Sequence, residues 1–448
     1  MILAQLSSSP DPSFWREALE TLTLRAGYNT TVVVLGTTLL GVAAGLVGSF
    51  LLLRKRSLVA DALSHATLPG VALAFLIADG LNLGGAGAKS LPVLLLGAAI
   101  TGVLAVLTVQ LIVRHTRLRE DAAIGLTLSV YFGVGVVLLR AAPDYASTPA
   151  SGLHHFIYGQ TAGLLITDVY LMGAIATIAI LAAAFLFKEL ALTCFNDDFA
   201  RATGWPVSIL DIALMALVVL VVVAGLQAVG LILVVALLII PPAAARFWTE
   251  RLARMVLASA LIGGMSGYAG STLSALLPRQ PTGAIIVLVA GALFIISMLA
   301  APTRGVVPTL IRRARLRARF ATDHLVEFLF DSASPASLSE VARDRAWSSL
   351  QSRIIATGAR TAGLITGPPS ALTLTDAGRA RGHRVARNHA LWSQYLVTYA
   401  DLAPSHVDFS VDQVEHILSE ELIAELEAAL AKRGVRVDNT QTSSGGDA

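Results

Sequence analysis

Residues 57–76 read SLVADALSHATLPGVALAFL. The apolar run about 58–78 is long enough, at 1.5 Å per helical residue, to cross a hydrocarbon core of about 30 Å. Asp61 and His65 interrupt it. They stand four residues apart and share one helix face. His65 falls about 13 Å beyond Arg56, near mid-membrane. A carboxylate and an imidazole at that depth are costly, so they face a pathway or a partner rather than lipid. Together they offer an oxygen and a nitrogen ligand, which suits Mn²⁺, Zn²⁺ or Fe²⁺. Spacing alone leaves a second reading open, in which the pair hydrogen-bonds neighbouring helices and only ties the bundle together.

Similar apolar runs recur at about 30–53, 91–113, 122–140, 166–187, 207–225, 229–246, 255–277 and 282–301, which makes nine expected spans. Of the 448 residues, 55% are hydrophobic and 14% charged, with a mean hydropathy of +0.70. Soluble domains carry about 25% charged residues, which excludes a simple soluble enzyme. The charge is unevenly spread: 30 charged residues in 1–303 against 33 in 304–448, half the length. A membrane part and a soluble part follow. The single cysteine, Cys194, excludes a disulfide framework and a cysteine-based zinc site. The start, MILAQLSSSPDPSFW, has no basic segment ahead of an apolar core, so no cleavable signal peptide is expected.

Positive residues predict the orientation. One set of loops holds Arg54, Lys55 and Arg56; Arg114, Arg117 and Arg119; Lys188 and Arg201; Arg246, Arg251 and Arg254; and the run from Arg304 to Arg319. The other holds Arg16, Arg25, Lys89, Arg140 and Arg279, so the balance is 17 to 5. The first set is read as cytoplasmic, which puts the N-terminus outside, the C-terminus inside, and requires an odd number of spans. The stretch GGAGAKS, 84–90, is near a phosphate-binding loop, but Ala88 stands where that motif needs glycine, and the loop is read as external. An ATPase would have to be another polypeptide. The external segment 141–165 carries His154 and His155, which as sequence neighbours do not converge on one helix face.

DALSHATLPGVALAF, 61–75, resembles the signature of the permease subunits of manganese/zinc/iron ABC importers. LREDAAIGLTLSVYFGVGVVLL, GLHHFIYGQTAGLLITDV, FNDDFARATGWPVSILD, GLILVVALLIIPPAAARFW and LPRQPTGAIIVL follow in the same family order. The resemblance implies a dimeric translocation pore, a separate cytoplasmic ATPase subunit and an external metal-binding protein that delivers the ion. It implies that Asp61 and His65 line the ion path. It likewise implies that Phe195, Asp198, Ala200 and Gly204 mark the loop that couples to the ATPase. An ordinary charged cytoplasmic loop is the plainer reading of that segment.

Residues 321–432 resemble a second family, the iron- and manganese-dependent repressors. The resemblance implies a winged-helix part over 321–380, with LTLTDAGR as the wing, and metal-binding and dimerisation helices over 381–432. Asp412, Glu415 and His416 form D-x-x-E-H, whose spacing puts three ligands on one helix face, and it suits Mn²⁺ or Fe²⁺. The matching first-helix positions are His324 and Glu327, and His389 matches a ligand of a second site. That second site departs from the family: Ser393 replaces a carboxylate, and Asp408 stands where a histidine is expected. A metal sensor that feeds back on transport and a degenerate domain that binds nothing both remain open.

The whole reads as an all-α polytopic membrane protein of the bacterial inner membrane. An external segment, 1–27, precedes a permease domain, 28–303. A basic juxtamembrane linker, 304–320, which touches anionic lipid, leads to the winged-helix plus helical metal-binding/dimerisation domain, and 433–448 is a disordered tail. Two other functions compete: an ion-coupled secondary metal carrier, and a membrane-tethered metal-responsive transcriptional regulator. With 17 Lys/Arg against 16 Asp/Glu after residue 303, nucleic acid is not an expected partner.

Overall fold

A computed structural model describes residue 16 and residues 19–25, 27–81, 90–146, 161–277, 280–332, 335–399 and 420–432. The chain divides into two compact units, residues 1–308 and 309–448.

The first unit is built of helices, as a backbone in lipid must satisfy its own N–H and C=O groups. They are α1 (Tyr28–Leu53), α2 (Ser57–Gly80), α3 (Leu91–His115), α4 (Glu120–Tyr145), α5 (Ile166–Phe185), α6 (Phe187–Phe195), α7 (Asp197–Ala202), α8 (Val207–Val229), α9 (Leu231–Ala245), α10 (Leu252–Leu276) and α11 (Thr282–Ala300). Among the described residues, eight are long and apolar enough to cross a membrane: α1 to α5, α8, α10 and α11. The run expected as a span over 229–246 is the exception. Its helix α9 has only 15 residues, about 22 Å, short of a 30 Å core. The reason is local. α8 runs on to Val229, and the turn is made by Gly230 at φ +81, a left-handed conformation open to glycine.

α1 is central and packs on α5, α8, α9 and α10. Its seam with α10 is antiparallel and made by small residues. A Cβ on Gly41 would stand 2.2 Å from the Gly263 carbonyl oxygen, and the reverse approach is 2.1 Å. On either side of that contact, Ser259 Oγ donates to Gly45 O at 2.6 Å and Thr37 Oγ1 to Gly267 O at 3.2 Å. Such close approach supplies van der Waals contact and interhelical hydrogen bonds where lipid offers no hydrophobic drive. α9 reaches the same level from its own side, with Leu238 against Gly48. The α1–α2 turn, the C-terminal end of α9 and the start of α10 therefore lie at one end of the bundle, and this end carries Arg54–Arg56 and Arg246–Arg254. α2 stands apart from this seam, flanked by α3 and α4.

The second unit holds nearly all of α12 (Val306–Asp331), followed by α13 (Leu338–Asp344), α14 (Ser349–Thr361), β1 (Ile365–Thr366), β2 (Thr373–Leu374), α15 (Asp376–Tyr399) and α16 (Glu420–Lys432). The basic stretch and the short helix after it, expected as separate pieces, are one helix: beyond Pro308 in its first turn, α12 has no glycine or proline to stop it. Ser337 with Glu340, and Ser348 with Gln351, form capping boxes that start α13 and α14. β1 and β2 pair antiparallel, with Ile365 opposite Leu374. Leu325, Leu329, Val341, Ala356, Ala359, Ile365 and Leu372 make the core.

Candidate functional site

Asp61 and His65 lie on α2, one turn apart, with His65 Nε2 3.5 Å from Asp61 Oδ1. Their side chains are 41% and 23% exposed, so the unit's own packing does not enclose them. With exposed Leu58, which stands one turn before them, they form a stripe along the first turns of α2. The His65 ring meets Phe132 of α4 edge to face at 4.8 Å, and its buried Nδ1 has no partner among the described residues. Neither side chain hydrogen-bonds a neighbouring helix among the described residues. Pro69, inside α2, has no N–H to give to the His65 carbonyl four residues back, so the helix ladder is interrupted at this level. Among the described residues no group of three or more His, Cys, Asp and Glu gathers anywhere as a metal cage. The pair presents two potential donors, one oxygen and one nitrogen.

The basic end of the bundle holds an ion-pair network that the sequence reading missed. The Arg54 side chain, 4% exposed, reaches Asp197 Oδ2 at 3.1 Å and Asp211 Oδ1 at 2.9 Å. Arg56 reaches Glu120 Oε1 at 2.6 Å and Asp211 Oδ2 at 3.2 Å. Two arginines in the α1–α2 turn thus tie together the starts of α4, α7 and α8. The available signal was Asp211, a lone carboxylate in the second turn of a strongly apolar run. Such a charge needs a partner.

The 195–206 segment sits at this end. Asn196 caps α7 by accepting from the Phe199 N–H at 2.9 Å. Ala200 is buried, and Gly204 takes φ +87 in the turn that follows. Asp198 is exposed; its neighbour Asp197, passed over in the sequence reading, is the carboxylate bound to Arg54. Phe195, Phe199 and Trp205, the three aromatic side chains of this segment, are all exposed. Only Phe195 was singled out from the sequence. Cys194 lies just behind, and burial pushes its thiol up to about 11, against the pull of Arg54.

In the second unit, His324 Nδ1 stands 3.5 Å from Glu327 Oε2, so the structure brings that expected pair together. Arg345 Nη2 lies 3.3 Å from the same Glu327 oxygen, a competing cation that the sequence reading did not find. Asp323, buried next to this pair, holds Arg381 through Nε at 2.6 Å and Nη2 at 3.1 Å, and the contact raises the Arg381 pKa. His389 is on α15, but its side chain lies outside the described residues. So do Asp412, Glu415 and His416, and so do His154, His155 and the glycine-rich loop 82–89.

Residues 28–301 match the model of the ABC 3 transport family. This chain belongs to the ABC 3 transport family. The matched range contains α1 to α11 and every residue of the α2 pair, the ion-pair network and the 195–206 segment. Within the family, the chain is 44% identical over 303 residues to the manganese transport system membrane protein MntC of Bacillus subtilis, covering 68% of each chain. It is 42% identical over 293 residues to the zinc transport system membrane protein TroC of Treponema pallidum, covering 65% of this chain and 96% of that one. Among solved structures, PsaBC from Streptococcus pneumoniae in complex with Fab matches with 31% identity and a TM-score of 0.55, over 64% of this chain and 97% of that chain. Residues 375–436 match a second model, the iron dependent repressor metal binding and dimerisation domain. The chain is therefore an ABC-type membrane permease that carries a repressor-like C-terminal domain.

Proposed function

We propose that this permease imports a divalent transition metal, Mn²⁺ first and Zn²⁺ or Fe²⁺ next, across the bacterial inner membrane by alternating access. The observation that carries the reading is the Asp61–His65 pair: an oxygen and a nitrogen donor at mid-span, on a stripe that the unit leaves uncovered. A second permease subunit, identical or paralogous, would cover that stripe, and the ion would pass between the two. The Asp61 carboxylate and His65 imidazole would replace part of the ion's hydration shell. The names of the manganese and zinc relatives support the cargo class.

ATP hydrolysis belongs in this reading to a separate cytoplasmic ABC ATPase. Its seat is the 195–206 segment, with exposed Phe195, Phe199 and Trp205. A push on α7 would pass through Asp197 to Arg54 and on to Asp211, moving the α1–α2 turn, from which Asp61 is five residues past Arg56. An external metal-binding protein would load the opposite end. The concentration of basic loops at one end supports a cytoplasmic placement of that end. With α9 taken as a ninth, short return segment from Gly230, the N-terminus is outside and the C-terminus inside.

The helix–helix–helix–hairpin order of α12 to β2 supports the winged-helix reading of the second unit. The outer face of α14 is a poor nucleic-acid reader: exposed Leu350 and Ile354 sit among its few arginines. Its metal chemistry fits in part. His324 and Glu327 present a nitrogen and an oxygen in reach of each other, and Arg345 already occupies the Glu327 oxygen. A regulatory Mn²⁺ or Fe²⁺ would have to displace that guanidinium.

Uptake of radioactive Mn²⁺ by cells that carry Asp61→Asn or His65→Ala tests the path. Loss of a ligand predicts a fall of about tenfold or more in apparent affinity, with membrane insertion and ATPase association retained. Undiminished uptake by both variants would remove the pair from the path.

A further inference from the structure

At the basic end of the bundle, α2, α3, α4 and α8 enclose a cavity of about 460 Å³. Its deep part is apolar, with Ala62, Ala105, Val109 and Met215 among its walls. Its mouth is charged: Arg56, Arg114 and Arg201 against Glu120 and Asp211. Both carboxylates are already held by Arg56, and Asp211 by Arg54 as well. Arg114 and Arg201 are left without a carboxylate among the described residues; the one polar contact recorded there is from Arg114 Nη2 to Ser208 Oγ at 3.2 Å. On α2 the cavity is lined by Val59, Ala62 and Leu63, and neither Asp61 nor His65 is among its lining residues. Three arginines against two carboxylates make the mouth a better seat for an anion than for a cation.

We propose that this cavity binds a phosphate-bearing amphiphile, an anionic phospholipid of the surrounding leaflet, with its head group on Arg114 and Arg201 and an acyl chain in the apolar slot. The dimensions suit this. Gln110 lies one turn deeper than Arg114 on α3, about 6 Å, the depth of a glycerol ester below its phosphate. The way in is lateral: Val113, which lines the cavity, is exposed, as are Leu107 and Leu111 on the adjoining face of α3. Two guanidinium groups from different elements can share one phosphate through charge-assisted hydrogen bonds. Because Arg201 belongs to α7, the bound head group would fasten α7 to α3 and make the movement of α7 sensitive to lipid composition.

The test is thermal unfolding of the full chain in neutral detergent, titrated with short-chain phosphatidylglycerol, with phosphatidylcholine of the same tails, and with inorganic phosphate. Saturable stabilisation by phosphatidylglycerol is expected, with the other two probes about tenfold weaker or more. Arg114→Gln and Arg201→Gln, at exposed positions, should each weaken the phosphatidylglycerol response by about tenfold. Ala105→Phe, which fills the slot, should abolish it and spare any response to phosphate. Phosphate acting as well as phosphatidylglycerol would overturn the proposal, because no tail would then be needed. Equal effects of the two lipids would overturn it too. A phosphatidylglycerol response undiminished in both arginine variants would move the site elsewhere, to the exposed Arg312–Arg319 stretch, and overturn it; these variants decide the matter even if Ala105→Phe fails to fold.

Discussion

Arg54 shows how one side chain can hold a junction of helices. It is almost fully buried, and its two carboxylates differ in surroundings: the Asp211 side chain is 13% exposed and that of Asp197 40%. Loss of a buried partner leaves uncompensated charge, and the cost scales with how far water is excluded. Arg54→Met should therefore destabilise the permease unit by about 2–3 kcal/mol, below the 3–5 kcal/mol of a fully enclosed pair, because Asp197 is open to solvent. Asp211→Asn should cost more than Asp197→Asn for the same reason. Thermal unfolding in detergent ranks the three, and equal effects of the two carboxylate variants would show that burial does not set the energetics here. Of this network only Asp211, a lone carboxylate in an apolar run, left a trace in the residues. Arg54, Lys55 and Arg56 are a basic cluster in the sequence, and as such they speak only to orientation; which carboxylates they meet depends on helices more than 60 residues away. Asp61 and His65, by contrast, were legible because a helix places residues four apart on one face whatever the tertiary structure does.

At the scale of elements, hydropathy located every long helix of the first unit, since length and apolarity are what a membrane demands. It overestimated the length of α9, which has 15 residues, because a run of apolar letters does not reveal where a turn falls, and Gly230 makes its turn inside the run rather than before it. It did not show the α1–α10 seam either: the signal there is absence of side chain, at Gly41 and Gly263, and close approach is a property of two helices together. The capping boxes of the second unit are the opposite case, readable from S-x-x-E and S-x-x-Q alone. The Glu340 carboxyl is held below the usual range by the Ser337 N–H and hydroxyl that it faces at the start of α13. A depressed carboxyl pKa gives stability that is complete above the unfolded value and is lost as pH falls through the folded one. α13 should thus fray on acidification below about pH 4, in the range of an unperturbed glutamate. Ser337→Ala should bring the fraying on at neutral pH, at a cost of about 1 kcal/mol for the lost cap. Hydrogen exchange across residues 337–345 of the full chain measures both, and protection that is indifferent to pH and to the substitution would refute the cap's role.

For the molecule as a whole, the two units have separate cores: the first centres on α1 and the second on Leu325, Val341 and Leu372. The match to the ABC 3 transport family, residues 28–301, lies wholly within the first unit. A chain that stops at Pro308 is therefore expected to insert and fold. If the second unit senses cytoplasmic metal, its removal should leave the initial rate of Mn²⁺ uptake unchanged in metal-starved cells. It should also abolish any slowing of uptake once the cells are loaded. The Glu327 environment sharpens this. Its oxygen is shared by His324 and Arg345, so a metal ion must compete with a guanidinium held in place by the fold. Arg345→Met in the full chain removes the competitor, and the slowing should then set in at lower internal Mn²⁺. Identical uptake curves for the full chain, the shortened chain and Arg345→Met, across starved and loaded cells, would mean that the second unit has no part in regulating transport by metal. The permease assignment would stand untouched, because it rests on the first unit alone.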